Sequence, residues 1–209
     1  MKRASLFALL KERDEQVTII GNGSNLLVGD GGIRGVVVEI GKAMQEISVS
    51  ENVITAQAGA VLGSVVSRAC KNSLTGMEFG YRKSIVAQKG YVVLEADFSL
   101  EPGEMKDIQG RMEELRSQRI SKQPLEYPSA GSTFKRPEGH FAGKLIMDCG
   151  LAGFSVGGAQ VSEKHCGFVI NRGGTAADVL AVIRYVQQKV KEKYGVELET
   201  EVKLVGEFL

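Results

Sequence analysis

Cysteine, histidine and tryptophan are the scarce residues: three, two and none in 209 positions. Cys70, Cys149 and Cys166 are odd in number and widely spaced, with no Cys-x-x-Cys pair. That argues against a disulfide framework and a cysteine-based zinc site, and it fits a reducing compartment. His140 and His165 stand too far apart to form a metal site by spacing. Neither charge sign dominates; the formal net charge is +1 with charges interspersed, which argues against a nucleic-acid footprint or a polybasic membrane patch. No stretch has the length and apolarity of a membrane span. Met1 to Leu10 imitates the opening of an export signal, but its apolar run stops at Lys11 without a small-residue cleavage site, so a cytoplasmic protein is expected. Gly-Lys-Ser/Thr is absent, and so is a Gly-x-Gly-x-x-Gly opening a helix, which argues against the common nucleotide folds. Internal repeats and low-complexity segments are also lacking.

With 43% hydrophobic and 24% charged residues, the chain has the composition of a globular protein, long enough for one large domain or two small ones. Its partner is expected to be a small molecule. The central stretch is Pro128-Ser-Ala-Gly-Ser-Thr-Phe-Lys-Arg-Pro137. Small residues followed by an aromatic and two cations, bracketed by prolines, compose a tight loop that presents a hydroxyl at close range to a ligand. Ser132 is therefore the leading chemical candidate; the same letters also read as an ordinary turn.

Leu6, Leu9 and Leu10 lie at helical spacing within residues 2–14, and Val17 to Ile20 reads as a short buried strand. Gly21-Asn-Gly-Ser-Asn25 follows it, and Gly29 to Gly35 adds four more glycines before a strand at Val36 to Ile40. Glycines at strand ends let backbone amides approach a phosphate, although such turns also serve structure alone. Glu46 to Gln57 reads as a hairpin, and Val61 to Asn72 as a helix. Tyr91 to Leu100, rich in β-branched residues, is expected in a sheet interior. Met105, Ile108, Met112 and Leu115 mark one stripe of a helix. Beyond the central stretch the expectations are a short helix at Phe141 to Met147, a tight crossing at Gly157 to Ala159, and a buried strand at Gly167 to Asn171. A capping box at Thr175 to Asp178 opens a helix whose face is Val179, Ile183, Val186 and Val190, and a strand pair closes the chain around Glu197 to Val205. Strands and helices lie close together in an α+β pattern.

Five stretches in order resemble the UDP-N-acetylenolpyruvoylglucosamine reductase family: Gly21 to Val28, Gly80-Tyr-Arg-Lys-Ser84, Pro128 to Lys135, Gly157 to His165, and Leu198-Glu-Thr-Glu-Val202. The likeness covers nearly the whole chain, and Ala159-Gln-Val-Ser-Glu-Lys-His165 resembles the shorter, second type of the family. The resemblance implies an α+β protein with an FAD-binding region at residues 1–122, here truncated, and a smaller α+β substrate-binding domain at residues 123–209. It implies an oxidoreductase of peptidoglycan synthesis, a cytoplasmic monomeric flavoprotein serving cell wall biogenesis, cell shape, the cell cycle and division. NADPH and FAD would serve to reduce UDP-N-acetylglucosamine enolpyruvate to UDP-N-acetylmuramate. Hydride would reach C3 of the enolpyruvyl group, and a proton C2. An enol ether accepts hydride poorly, so the site must stabilise charge at C2 and then quench it.

By the same resemblance Ser132 is the proton donor, Arg82 holds the substrate carboxylate, and Glu201 acts on it as a protonated acid. The residue types suit these roles, because a guanidinium grips a carboxylate as a fork and a neutral acid donates to developing charge. Gly21, Asn22, Gly23, Ser24 and Asn25 resemble the flavin-phosphate loop. Arg119 matches a residue at the flavin and Lys122 one at the substrate, while Lys144, Gln160 and His165 are candidates for the UDP end.

Two blocks of the family pattern are missing. Set against that pattern, the sequence is expected to start inside the helix before the glycine loop, without the family's preceding strands, and Thr75-Gly-Met-Glu-Phe79 runs straight into Gly80 where a Gly-Ile-Pro-Gly stretch and a Gly-Gly-Ala segment belong. The join reads as an internal deletion. Loss of a phosphate loop removes amide donors, so two further readings stand beside the reductase: a remnant that holds a UDP-sugar without flavin chemistry, and a purely structural fragment.

Overall fold

The computed structural model describes residues 3–62, 64–65, 91–100 and 103–209, with side chains from residue 6 onward. Arg82, Cys70, the Gly80 to Ser84 stretch and most of the helix expected at Val61 to Asn72 lie outside those residues. The chain divides into two compact units that interleave along the sequence. One contains residues 1–16, 23–35 and 115–209; the other contains 17–22 and 36–114.

The second unit holds two small sheets. In one, β1 (Val17–Ile20) pairs in parallel with β3 (Val36–Glu39). In the other, β4 (Ile47–Ser50), β5 (Val53–Gln57) and β6 (Glu95–Ser99) run antiparallel in that order. The expected hairpin is present, with Ser50 opposite Val53 and Glu51 turning the chain at a φ of 50°. Ile54 and Ala56 project from β5 into a small core with Val65. The sheet-interior expectation for Tyr91 to Leu100 is corrected. Only Glu95–Ser99 forms a strand, it lies at the edge of the described sheet, and Tyr91 and Leu94 are each 60% exposed. β-branched composition marks a residue's fit to a pleated surface, not its depth.

The first unit is built around a four-stranded antiparallel sheet in the order β7 (Ser129–Ser132), β10 (Phe168–Asn171), β9 (Ala159–Val161), β8 (Ser155–Val156). Helix α4 (Ala176–Tyr194) covers it with Val182, Ile183, Val186 and Val190, all buried. Ile146, on helix α3 (Ala142–Asp148), completes the core with Val161, Val169 and Phe134. Each such side chain contributes about 1.5–3 kcal/mol by leaving water.

The N-terminus of α4 illustrates how completely the backbone is satisfied. Ala176 and Ala177 donate to the two carboxylate oxygens of Asp30, at 2.8 and 2.9 Å. Asp178 donates to the Thr175 hydroxyl, Val179 to the Thr175 carbonyl, and the Asp178 carboxylate takes the Thr175 amide in return. All four amides that a helix start leaves without an intrahelical partner are thus engaged. The tight crossing is also present: a Cβ on Gly158 would overlap the backbone of Gly173 and Gly174. Gly195, at a φ of 68°, ends the helix in the left-handed conformation.

The expected terminal strand pair is corrected. β11 (Lys203–Val205) pairs in parallel with β2 (Leu26–Val28), and Thr200 forms an isolated bridge with Phe134. Parallel pairing with a strand so far back leaves no local turn signal to read. Helix α2 (Met105–Lys122) forms where expected, yet none of its residues is buried and Met105 is 68% exposed, so its stripe is not a core face. Helix α1 spans Arg3–Glu12 and buries Leu10. No helix among the described residues is long and apolar enough to cross a membrane.

Candidate active site

Thr133 is the point on which three of the sequence's candidate stretches converge. Its side chain is 2% exposed, and its backbone and hydroxyl are all engaged. The amide donates to the Gly167 carbonyl at 2.8 Å, and the hydroxyl accepts the Val169 amide at 3.0 Å, which locks β7 to β10. The carbonyl accepts the amides of Glu201 and Val202, at 2.9 and 3.4 Å. Ser132 and Glu201, both half-buried, are therefore carried on adjacent backbone segments.

The first glycine-rich loop joins the same point. Asn25 donates through Nδ2 to the Glu201 carbonyl at 3.1 Å, and its own carbonyl accepts the Lys203 amide at 3.1 Å. A Cβ on Gly131, whose φ is +78°, would stand 3.9 Å from the Ser24 carbonyl. Residues 23–25 thus lie beside the Gly131–Ser132 step. Among the described residues no acceptor is found for the backbone amides of Gly21 to Asn25, and Gly21 to Ser24 are exposed. Exposed amides with no protein partner on a glycine-rich turn are donors of the kind that an anion takes.

The second glycine-rich loop is different. Gly29 donates to Val205, Gly31 to Glu207 and Gly32 to Gly29, while Glu207 donates back to Gly32. Arg34 grips the Glu207 carboxylate with Nε and Nη2, at 2.8 and 2.7 Å; that hydrogen bond holds the carboxyl below the usual range. The Gly29 and Gly31 amides serve the chain's own C-terminal segment and that of Gly32 closes a local turn, so none of the three is available to a phosphate.

The remaining candidates do not gather at one place. His165 accepts the Gly167 amide at Nδ1, 3.1 Å away, which leaves its proton on Nε2. Its ring lies against Gly143, and edge-on to Phe168, whose backbone is opposite Ser132 in the sheet. Lys144, next to Gly143, pairs with Asp148 at 2.9 Å, a hydrogen bond that raises the ammonium pKa. Arg119 and Lys122 are exposed on the last turn of α2, Arg119 donating to Gln123. Gln160 lies on β9 with both ends of its amide engaged, Nε2 to the Gly153 carbonyl and Oε1 from Arg172.

Below β7 is a cavity of about 200 Å3, lined by residues that include Leu27, Ala130, Val169, Ile183 and Val202. Its Thr133 hydroxyl and Asn171 side chain are bonded elsewhere, so the space is largely aliphatic and unsuited to a charged ligand. Burial pushes the thiols of Cys149 and Cys166 above their ordinary pKa, which keeps both protonated and poorly nucleophilic.

Sequence reading missed Thr133 and Asp30. Thr133 stands in the central stretch, but nothing local reveals that its carbonyl meets residues 201 and 202. Asp30 lies within a glycine run, where its pairing with the start of α4 has no signature in the chain.

The comparisons agree in direction. Residues 3–87 match the model of an FAD binding domain, and residues 123–205 that of the C-terminal domain of UDP-N-acetylenolpyruvoylglucosamine reductase. A protein of Agathobacter rectalis named UDP-N-acetylenolpyruvoylglucosamine reductase is 48% identical, over all of this chain and 86% of its own length. One from Clostridium perfringens is 48% identical over 95% of this chain and 81% of its own. The crystal structure of the enzyme from Thermus caldophilus superposes with a TM-score of 0.76 at 27% identity, covering 94% of this chain and 88% of that one. The Agathobacter alignment runs over 271 positions against 209 residues here, so it includes positions where the relative has residues and this chain has none. On these matches the chain belongs to the UDP-N-acetylenolpyruvoylglucosamine reductase family.

Proposed function

We propose that this chain reduces UDP-N-acetylglucosamine enolpyruvate to UDP-N-acetylmuramate, with FAD as its cofactor and NADPH as the source of electrons. The observation that carries the reading is the meeting of the open amide loop with Ser132 and Glu201 around Thr133. FAD, when bound, supplies the hydride that the enolpyruvyl C3 accepts. The amides of Gly21, Asn22, Gly23, Ser24 and Asn25 hold its phosphates, and Arg119 contributes a cation to the same cofactor.

The protein's own task is the charge that develops at C2. Arg82 and Glu201 bind the substrate carboxylate into which that charge spreads, and Ser132 delivers the proton to C2. Lys122 binds the substrate, with Lys144 and His165 towards its UDP end. Gln160, given its engaged amide, serves that end by holding Arg172. In this reading residues 1–122 form the flavin-binding region and residues 123–209 the substrate-binding domain. The enzyme works as a cytoplasmic monomer in cell wall biogenesis, and through it in cell shape and division.

A second reading rests on the alignment positions that this chain lacks. If they include a flavin-contacting segment, the protein retains a UDP-sugar site without flavin chemistry. Assay of NADPH oxidation by the purified protein with added FAD separates the two. Oxidation that depends on the enolpyruvyl substrate supports the reductase; UDP binding without oxidation supports the remnant.

A further inference from the structure

From the contact between Lys164 and the end of α2 we infer that Lys164 is a positioning residue. It fixes the helix turn that bears Arg119 and Lys122 relative to Ser132, an inference that rests on the reductase reading for the roles of those two residues.

Helix α2 has 18 residues and none is buried, so apolar packing does not set where its C-terminal turn lies. Polar contacts must do so. The last four carbonyls of a helix have no intrahelical partner, and a cation is favoured there by the dipole. The Arg119 carbonyl is taken by the Gln123 amide at 2.9 Å. The next carbonyl, that of Ile120, accepts from Lys164 Nζ at 3.0 Å, across 44 residues of sequence. Lys164 also meets the Glu126 carboxylate at 3.4 Å, on the segment that leads from α2 to β7.

The base of Lys164 is well fixed. It stands in the turn between β9 and β10, where the His165 amide donates to the hydroxyl of Ser162, a side chain 2% exposed. The Ser162 amide donates to the Phe168 carbonyl at 2.9 Å, and the His165 ring accepts the Gly167 amide. Phe168 is paired with Ser132 across the sheet. One ammonium thus links a rigid turn, registered on the proton-donor strand, to a helix end that carries two proposed ligand-binding cations. Geometry sets the division of effects. Lys164 acts through its neighbours, so its loss weakens binding of flavin and substrate and leaves the proton transfer from Ser132 intact.

The test uses the full chain with three changes at this position. Hydrogen exchange followed by mass spectrometry reads the amides of residues 116–123, and steady-state kinetics with added FAD read KM and kcat. Lys164→Met is expected to speed exchange in that segment, to raise KM for the enolpyruvyl substrate about ten-fold, as loss of a charge-assisted hydrogen bond would, and to hold kcat within about two-fold. Lys164→Arg, which keeps a donor cation, is expected to restore both. Unchanged exchange at residues 116–123, or a fall in kcat at constant KM, overturns the inference. Should Lys164→Met fail to fold, Lys164→Gln is judged by the same two criteria. Absence of turnover in the unmodified protein would count against the reductase reading, and the exchange data would still decide whether Lys164 holds the helix.

Discussion

The side-chain amide of Asn25 donates to the carbonyl of Glu201 at 3.1 Å, joining residues 176 positions apart. This bond ties the glycine-rich loop to the segment that carries a proposed carboxylate-binding group. Asn25→Ala removes the donor and is expected to cost about 1 kcal/mol of stability. Loosening the loop also weakens the flavin, so the FAD dissociation constant should rise about ten-fold. Fluorescence quenching of FAD on titration reads the second effect, and an unchanged constant would mean that the loop does not hold the cofactor.

Thr133→Val tests the buried hub. Valine matches the shape but leaves the Val169 amide without its acceptor, and a buried unsatisfied donor costs about 2 kcal/mol. Thr133→Ser retains the hydroxyl and should lose less. Urea unfolding of the three proteins measures the order, which is expected to be wild type, serine, valine.

At the start of α4, Asp30→Ala deprives the Ala176 and Ala177 amides of their acceptors, at a cost of about 1 kcal/mol. Asp178 behaves as a second, pH-dependent element. The Thr175 amide, followed by that of Gly158, lowers its folded pKa. Its contribution is therefore present above the unfolded value of about 3.9 and is lost as pH falls through the lower folded one. Asp178→Asn should be less stable than wild type at pH 7, and the gap between them should close in strong acid. Thermal melts across that range give the comparison; a gap that widens in acid would contradict the sign.

Gly158→Ala should be among the most damaging single changes outside the site, because the added carbon meets the rigid backbone of Gly173 and Gly174. The expected loss is about 3 kcal/mol. Circular dichroism on heating shows it as a lower midpoint or as failure to fold.

These cases show where the chain was legible. The capping box at Thr175, the hairpin around Glu51 and the apolar face of α4 are local patterns, and each is present. The pairing of Lys203–Val205 with Leu26–Val28 is set by distant backbone, as is the use of the Gly29 and Gly31 amides by the C-terminal segment. Nothing in either stretch alone states its partner. At the site, Ser132 and Glu201 are named by the family pattern; what brings them together is Thr133, whose role depends on three separate segments. The reading of Tyr91 to Leu100 as sheet interior fails because composition alone sets neither where a strand begins, here at Glu95, nor its place in the sheet.

The most direct measurement is the visible absorption spectrum of the purified protein with FAD, followed through addition of NADPH and then of UDP-N-acetylglucosamine enolpyruvate. The account predicts a bound flavin that bleaches with NADPH and regains its colour with substrate, and a Ser132→Ala protein that bleaches normally but recovers far more slowly. A protein that binds no flavin, or whose Ser132→Ala variant recovers at the wild-type rate, would contradict it.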